Sequence, residues 1–294
     1  MAESQPSRKF CLLQFVVLGL WFLVGFSSPQ NQMSLPTEFK DQFSVKENSQ
    51  LGQDEIIHLE NVSVQYNLPE ERIGTLKEYA IRSLQRRIRF HSFWALDDVN
   101  FKVYRGEVFG VIGKNGAGKS TLLKVISRVL RPTKGRIIVY GKVAPLLELG
   151  AGFHPELSGR ENIFLNGALL GYSQKEMEAC FDQIVEFSEL HQFIDASIRT
   201  YSSGMYARLG FAVATAHVPD ILLVDEILSV GDGEFQQKCF ARINEFRNLG
   251  STIVMVSHNM DQIGKMCQRV AWLNKGKIEL EGDPATVIPR YTGM

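Results

Sequence analysis

The sequence predicts an α/β fold built on a mostly parallel sheet around a phosphate-binding loop, and three observations carry that prediction. First, the apolar run Glu107 to Ile112 leads into Gly113-Lys114-Asn115-Gly116-Ala117-Gly118-Lys119-Ser120, which Ser120 to Leu130 leaves with helical periodicity. Second, Ile221 to Val224, Thr252 to Val256 and Val270 to Leu273 are short apolar runs of the kind buried on both faces of a parallel sheet. Third, the stretch between them, Pro155 to Ala216, reads as mostly helical.

Taken in order, the chain opens on its least typical part. Phe10 to Phe26 is almost continuously apolar, broken by Gln14 and preceded by Arg8-Lys9. As a helix it reaches roughly 26 Å, slightly short of a hydrocarbon core of about 30 Å. Its basic start and the small residues near Gly25 to Ser28 also fit a secretory signal. Arg8 and Lys9 favour a cytoplasmic N-terminus, which sends everything after residue 26 across the membrane, away from any nucleotide supply. Three resolutions stand open: a start assigned too far upstream, with Met33 an in-frame alternative; an anchor with its N-terminus outside; or a segment lying in the interface. Residues 27 to 53 read as a linker, so residues 1–53 are set apart from a single domain over 54–294.

From Glu55 the pattern changes. Ile56 to Tyr66 and Trp94 to Tyr104 alternate as strands. Between them lies an insertion, residues 67 to 92, whose second half, Thr75 to Phe90, reads as a helix. Leu76, Ala80, Leu84 and Ile88 form its apolar stripe, opposite Arg82, Arg86 and Arg89. Such a helix either docks on the domain surface or lies as a basic amphipathic helix against a membrane. Near the other end, Asn274-Lys275-Gly276-Lys277 reads as a hairpin turn into Ile278 to Glu281.

Composition narrows the function. Lys+Arg and Asp+Glu both total 32, so the chain lacks the electropositive excess that nucleic acid as a main partner requires. Its four cysteines, Cys11, Cys180, Cys239 and Cys267, have no metal-type spacing and read as reduced, packed residues.

The chemistry sits in two segments. In the loop Gly113 to Thr121, glycines including Gly113, Gly116 and Gly118, with Asn115 and Ala117, turn backbone N–H groups inward around a β-phosphate. Lys119 reaches the β/γ oxygens, Ser120 ligates Mg²⁺, and the helix that begins there turns its positive dipole end to the anion. Ile221-Leu222-Leu223-Val224-Asp225-Glu226 supplies the rest, with Asp225 at a strand end for the Mg²⁺ shell and Glu226 to polarise the attacking water.

With Tyr201-Ser202-Ser203-Gly204-Met205 and His258 added in that order, residues 55 to 291 resemble the ATP-binding cassette ATPases. The resemblance implies a P-loop NTPase core with an N-terminal antiparallel β subdomain and an inserted helical subdomain over about 155–216. It implies that Ser202, Ser203 and Gly204 bind the γ-phosphate of ATP held by a second copy. Ser229-Val230-Gly231-Asp232 looks like the D-loop, and His258 is similar to the switch histidine. Leu146 to Ile163, with Val230 to Phe235 and Val256 to Met260, resembles the subgroup exporting O-antigen, capsule and teichoic acid. That subgroup carries a like insertion, with its helix at the membrane interface.

Four departures stand out. Leu149, beside Glu148, occupies the register of the Q-loop glutamine. Tyr201, Ser203 and Met205 replace the Leu, Gly and Gln of the signature. The adenine-stacking ring is Tyr66 by position, with Phe93 and Trp94 as alternatives. The chain stops soon after Tyr291, so the glycan-binding C-terminal domain of some O-antigen exporters is not expected.

The resemblance therefore implies a peripheral ATPase subunit on the cytoplasmic face of the membrane. Its partners are a transmembrane permease, a second copy of itself and, through the permease, a lipid-linked glycan. The alternatives are a soluble cassette ATPase acting on DNA or the ribosome, and a degenerate cassette with a regulatory role.

Overall fold

Alternating apolar residues at Ile57, Leu59, Val62 and Val64 run along β1 (Glu55–Pro69) and bury one face of an antiparallel sheet. In the computed structural model, which describes residues 54–69, 90–147, 149–225 and 232–293, β1 is the centre of that sheet. It pairs with β2 (Phe90–Tyr104) on one side and β4 (Lys134–Val139) on the other. The pairing continues to Pro69 opposite Phe90, so the two strands are longer than predicted and the insertion between them is shorter. Phe90, expected to close a helix, opens β2 instead, because its backbone is captured by the β1 ladder. Otherwise the helix expected over Thr75–Phe90 lies outside the described residues, as do the apolar N-terminal segment, Glu148, Glu226 and Ser229-Val230-Gly231.

The second sheet is mostly parallel, as the short apolar runs predict. Its order is β5-β6-β7-β3-β8-β9, from β5 (Val143–Leu146), β6 (Ile221–Val224), β7 (Thr252–Val256), β3 (Val108–Ile112), β8 (Arg269–Asn274) and β9 (Lys277–Gly282). Only β9 runs antiparallel to its neighbour, across the predicted turn at Asn274 to Lys277. Strands β3, β6 and β7 are buried at every residue. The sequence reading missed β4 and β5: β4 has three exposed residues at its start, and β5 carries Pro145, so neither shows clear alternation.

Helix α1 (Lys119–Ile126) leaves the phosphate loop and packs between the two sheets through Leu122, Leu123, Val125 and Ile126. It ends before the predicted Leu130, because Arg128, just past the C-cap, takes a left-handed backbone (φ 62°) and the Arg128 and Leu130 N–H groups turn back to the Val125 and Lys124 carbonyls. A separate core holds α2 (Gly159–Leu169), α3 (Gln174–Ser188) and α4 (Ser203–Ala214), packed through Ile163, Met177, Ile184 and Leu209. Capping boxes at Ser158/Glu161 and Ser173/Glu176 start α2 and α3. Helices α5 (Gly233–Asn248), α6 (Met260–Met266) and α7 (Pro284–Thr292) cover the remaining face of the parallel sheet. Among the described residues no helix is long and apolar enough to cross a membrane.

Candidate functional site

The phosphate loop follows β3 at the C-terminal edge of the parallel sheet, the edge at which α/β folds bind ligands. Gly118 is the N-cap of α1 with φ 110°, and a side chain there would collide with the Ala95 carbonyl oxygen. Only glycine lets the loop turn so tightly against β2. The Lys119 side chain is 8% exposed, and its ammonium donates to the carbonyls of Gly113 (2.7 Å) and Lys114 (3.2 Å). The loop thus holds its own cation folded across its mouth, at the N-terminus of a helix whose first N–H groups face the same space.

Beside the loop is an open cleft of about 750 Å³. Its lining brings Asn115, Gly116, Gly118, Lys119, Ser120 and Thr121 together with Asp225, which follows directly on β6. The same lining includes Tyr66, Phe93 and Trp94. Tyr66 and Phe93 are register partners across β1 and β2, with ring centroids 5.7 Å apart, and the Lys134 ammonium lies 5.1 Å from the Trp94 ring. All three rings considered for adenine therefore border the one cleft that Lys119, Ser120 and Asp225 also line. Gly113 and Ala117 are buried beneath the loop rather than exposed in the cleft.

His258 is exposed two residues beyond β7, the strand between β6 and β3, so Asp225, His258 and the phosphate loop leave the same sheet edge. Ser202, Ser203 and Gly204 do not line the cleft. Ser202 caps α4, accepting the Met205 N–H at 3.2 Å, with Ser202 and Ser203 exposed. The helix begins at Ser203, ahead of the predicted Tyr206. Among the described residues of one chain, then, the cleft and the capped helix N-terminus share no residue. Glu226 lies outside the described residues.

The loop after β5 is fastened by side chains that sequence reasoning missed. The Tyr206 hydroxyl donates to the Gly150 carbonyl (2.8 Å), and its ring packs edge-on to Phe153. Asn166 Nδ2 donates to the Ala151 carbonyl (2.7 Å). Asn162, fully buried, accepts the His154 N–H (2.6 Å) and donates towards the carbonyls of His154, Leu157 and Ser158. Farther along, the Ile198 and Arg199 N–H groups donate to the Leu157 and Pro155 carbonyls. The loop bearing Leu149 is thereby tied to the segment that runs into Ser202. Spacing alone does not show which carbonyls a buried amide satisfies.

Arg208, one turn into α4, joins that helix to α5. It pairs with Glu189 and with Asp232 (2.6 Å), and stacks on Phe235 at 4.8 Å. Asp232 caps α5, and its carboxyl is held below the usual range first by the Phe235 N–H it accepts and then by Arg208. Lys238 and Arg208 together lower Glu189.

A parallel sheet, a phosphate loop and an acidic strand end define a P-loop nucleotide-binding protein. Comparison with known proteins makes this specific. The family model for the ABC transporter matches residues 96–229. The O-antigen export system ATP-binding protein RfbB of Klebsiella pneumoniae is 44% identical over 238 residues, covering 80% of this chain and 97% of that protein. The teichoic acids export ATP-binding protein TagH of Lactococcus lactis is 48% identical over 199 residues, 68% of this chain and 42% of its own length. Among solved structures, an ATP-binding subunit of an ABC transporter superposes with TM-score 0.62 at 23% identity, over 81% of this chain and 93% of that one. A dimeric ATP-binding cassette in a post-hydrolysis state with ADP and Pi does so with TM-score 0.61 at 22% identity, over 78% of this chain and 99% of that one. The chain belongs to the ATP-binding proteins of the ABC transporter family.

Proposed function

We propose that this chain is the ATP-hydrolysing subunit of an exporter of lipid-linked polysaccharide, working as a pair of copies that close on two ATP molecules. The observation that carries the paired site is the separation described above. One chain gathers the base-side rings, Lys119, Ser120 and Asp225 into a cleft but leaves Ser202, Ser203 and Gly204 at a helix N-terminus elsewhere. A helix N-terminus with an exposed serine is an anion receptor. A second copy, facing head to tail, supplies it to the open side of the cleft.

The residues fit a magnesium nucleotide. The cleft has room for one, an almost buried ammonium lies across the loop, and a hydroxyl and a carboxylate line the same space. Ser120 and Asp225 would hold Mg²⁺, which neutralises charge on the β- and γ-phosphate oxygens. Lys119 exchanges its carbonyl partners for phosphate oxygens. Tyr66 stacks on adenine, backed by Phe93. Glu226 takes the proton of the attacking water and His258 orients the terminal phosphate. Closure assembles the site and hydrolysis releases it, so binding energy is converted into domain motion.

The permease contact is placed at the loop from Leu146 to Asn162. An apolar groove of about 200 Å³ lies against it, bordered by Leu149, Gly150 and Leu169, with Val129 and Leu169 strongly exposed at its rim. Polysaccharide as cargo rests on the relatives named for O-antigen and teichoic acid export. The location that follows is peripheral, on the cytoplasmic face of the membrane. The domain reading stays with it: a cassette over 54–294, a helical subdomain over about 155–216, and residues 1–53 apart.

Glu226→Gln tests the chemistry. It should retain ATP binding and lower turnover by roughly 10²- to 10⁴-fold, the range for loss of a general base. Turnover near that of wild type removes Glu226 from this role. For the cargo, the chain purified with its membrane partner in proteoliposomes should hydrolyse ATP faster when lipid-linked glycan is added. Equal rates with and without glycan contradict the assignment.

A further inference from the structure

Two lysines flank Gly276 where β8 turns into β9, and the fold treats them differently. Lys277 is paired with Asp97 at 3.1 Å. Lys275 is exposed, lines the nucleotide cleft, and has no carboxylate at ion-pair distance among the described residues. The charged side chains on that lining are Lys119, Lys275 and Asp225. With Asp225 given to the metal, the cleft keeps two cations for an anionic ligand.

The turn is also fixed where it stands. The Gly276 N–H donates to the Ala117 carbonyl in the phosphate loop (2.9 Å), and the Gly276 carbonyl accepts the Asp97 N–H from β2 (2.9 Å). Gly276 is buried, and a Cβ there would lie 2.9 Å from the Ala95 carbonyl oxygen. Lys275 itself takes a left-handed backbone, φ 46°. The turn is thus wedged between β2, the strand that carries Phe93 and Trp94, and the loop that carries Lys119. A nucleotide laid from Tyr66 to Lys119 puts its sugar and the phosphate next to it across that wedge.

We propose that Lys275 is a second cationic contact to the nucleotide, made to the phosphate nearest the sugar. The proposal rests on the nucleotide reading above and adds a binding residue to it. Lys119 serves the far end of the phosphate chain and Lys275 the near end, so Lys275 acts on ADP as well as on ATP. Its charge sits in an open cleft, where a point cation adds moderate affinity and is screened by salt.

The test is calorimetric titration of the full chain with ADP and with ATP. Lys275→Asn removes the charge with a residue that tolerates the left-handed backbone, and Lys275→Glu reverses it. Lys275→Asn should weaken both nucleotides by the same factor, roughly three- to tenfold, and Lys275→Glu by more. Lys275→Arg should stay close to wild type, and added salt should narrow the gap between wild type and Lys275→Asn. Unchanged affinity in both Lys275→Asn and Lys275→Glu, with binding still abolished by Lys119→Ala, overturns the proposal and leaves the nucleotide reading standing. A loss confined to ATP moves the contact to the terminal phosphate and also overturns it. Wild-type chain that binds neither nucleotide removes the reading on which the proposal rests.

Discussion

The phosphate loop and the loop after β5 both leave parallel strands, yet they are held by different means. The phosphate loop is shaped by its own backbone: glycines that permit close approach, N–H groups at a helix start, and a lysine folded onto the loop's carbonyls. The loop from Leu149 to Ser158 is shaped from outside, by the side chains of Asn162, Asn166 and Tyr206 on two helices. A structure written in its own backbone binds its ligand locally. One written in distant side chains moves when those helices move, which is what the relay proposed for this loop, between a membrane partner and Ser202 to Gly204, would require.

Removing the strongest outside anchor should have the largest effect on this contrast. Asn162→Ala deprives the His154 N–H of its partner, while the His154, Leu157 and Ser158 carbonyls keep backbone donors, and should cost roughly 2 kcal/mol in urea unfolding. Nucleotide affinity should be retained, because the phosphate loop does not depend on that anchor. A loss of less than about 1 kcal/mol, within the range of one ordinary hydrogen bond, would show that the loop is self-supporting after all.

Arg208→Met gives a smaller effect with a distinct pH signature. Glu189 is held below its ordinary 4.5 by Lys238 and Arg208, and Asp232 below its ordinary 3.8 by the Phe235 N–H and Arg208. For carboxylates lowered in the folded state, the stabilisation is fully present above those ordinary values. It is lost as pH falls through the lower folded ones. The urea midpoint of Arg208→Met should therefore lie below wild type by a constant amount between about pH 5 and 8, and the two should converge under stronger acid. A gap that widens on acidification contradicts the clamp.

The same contrast explains how much was legible in the sequence. The phosphate loop, the strand ending at Asp225 and the apolar strands of the parallel sheet are encoded contiguously, so spacing and apolar runs reveal them. Tyr66, Phe93 and Trp94 could be nominated but not joined, because only the β1–β2 register puts Tyr66 opposite Phe93. That register also ran past the predicted strand ends to Pro69 and Phe90. Asn166, Tyr206 and Arg208 were invisible as functional candidates, since each looks like an ordinary helical residue until its partner on another segment is known. Lys275 read only as part of a turn, because the hydrogen bonds that wedge it beside the phosphate loop join residues far apart in the chain.

The central claim is that the site is completed by a second copy. It is tested most directly by the molar mass of the Glu226→Gln chain in saturating ATP, measured by light scattering on a sizing column, with and without Ser202→Phe. The account predicts twice the single-chain mass for Glu226→Gln with ATP and the single-chain mass once Ser202→Phe blocks the helix N-terminus. A chain that binds ATP yet keeps its single-chain mass, or one that pairs equally well with Ser202→Phe, would contradict it.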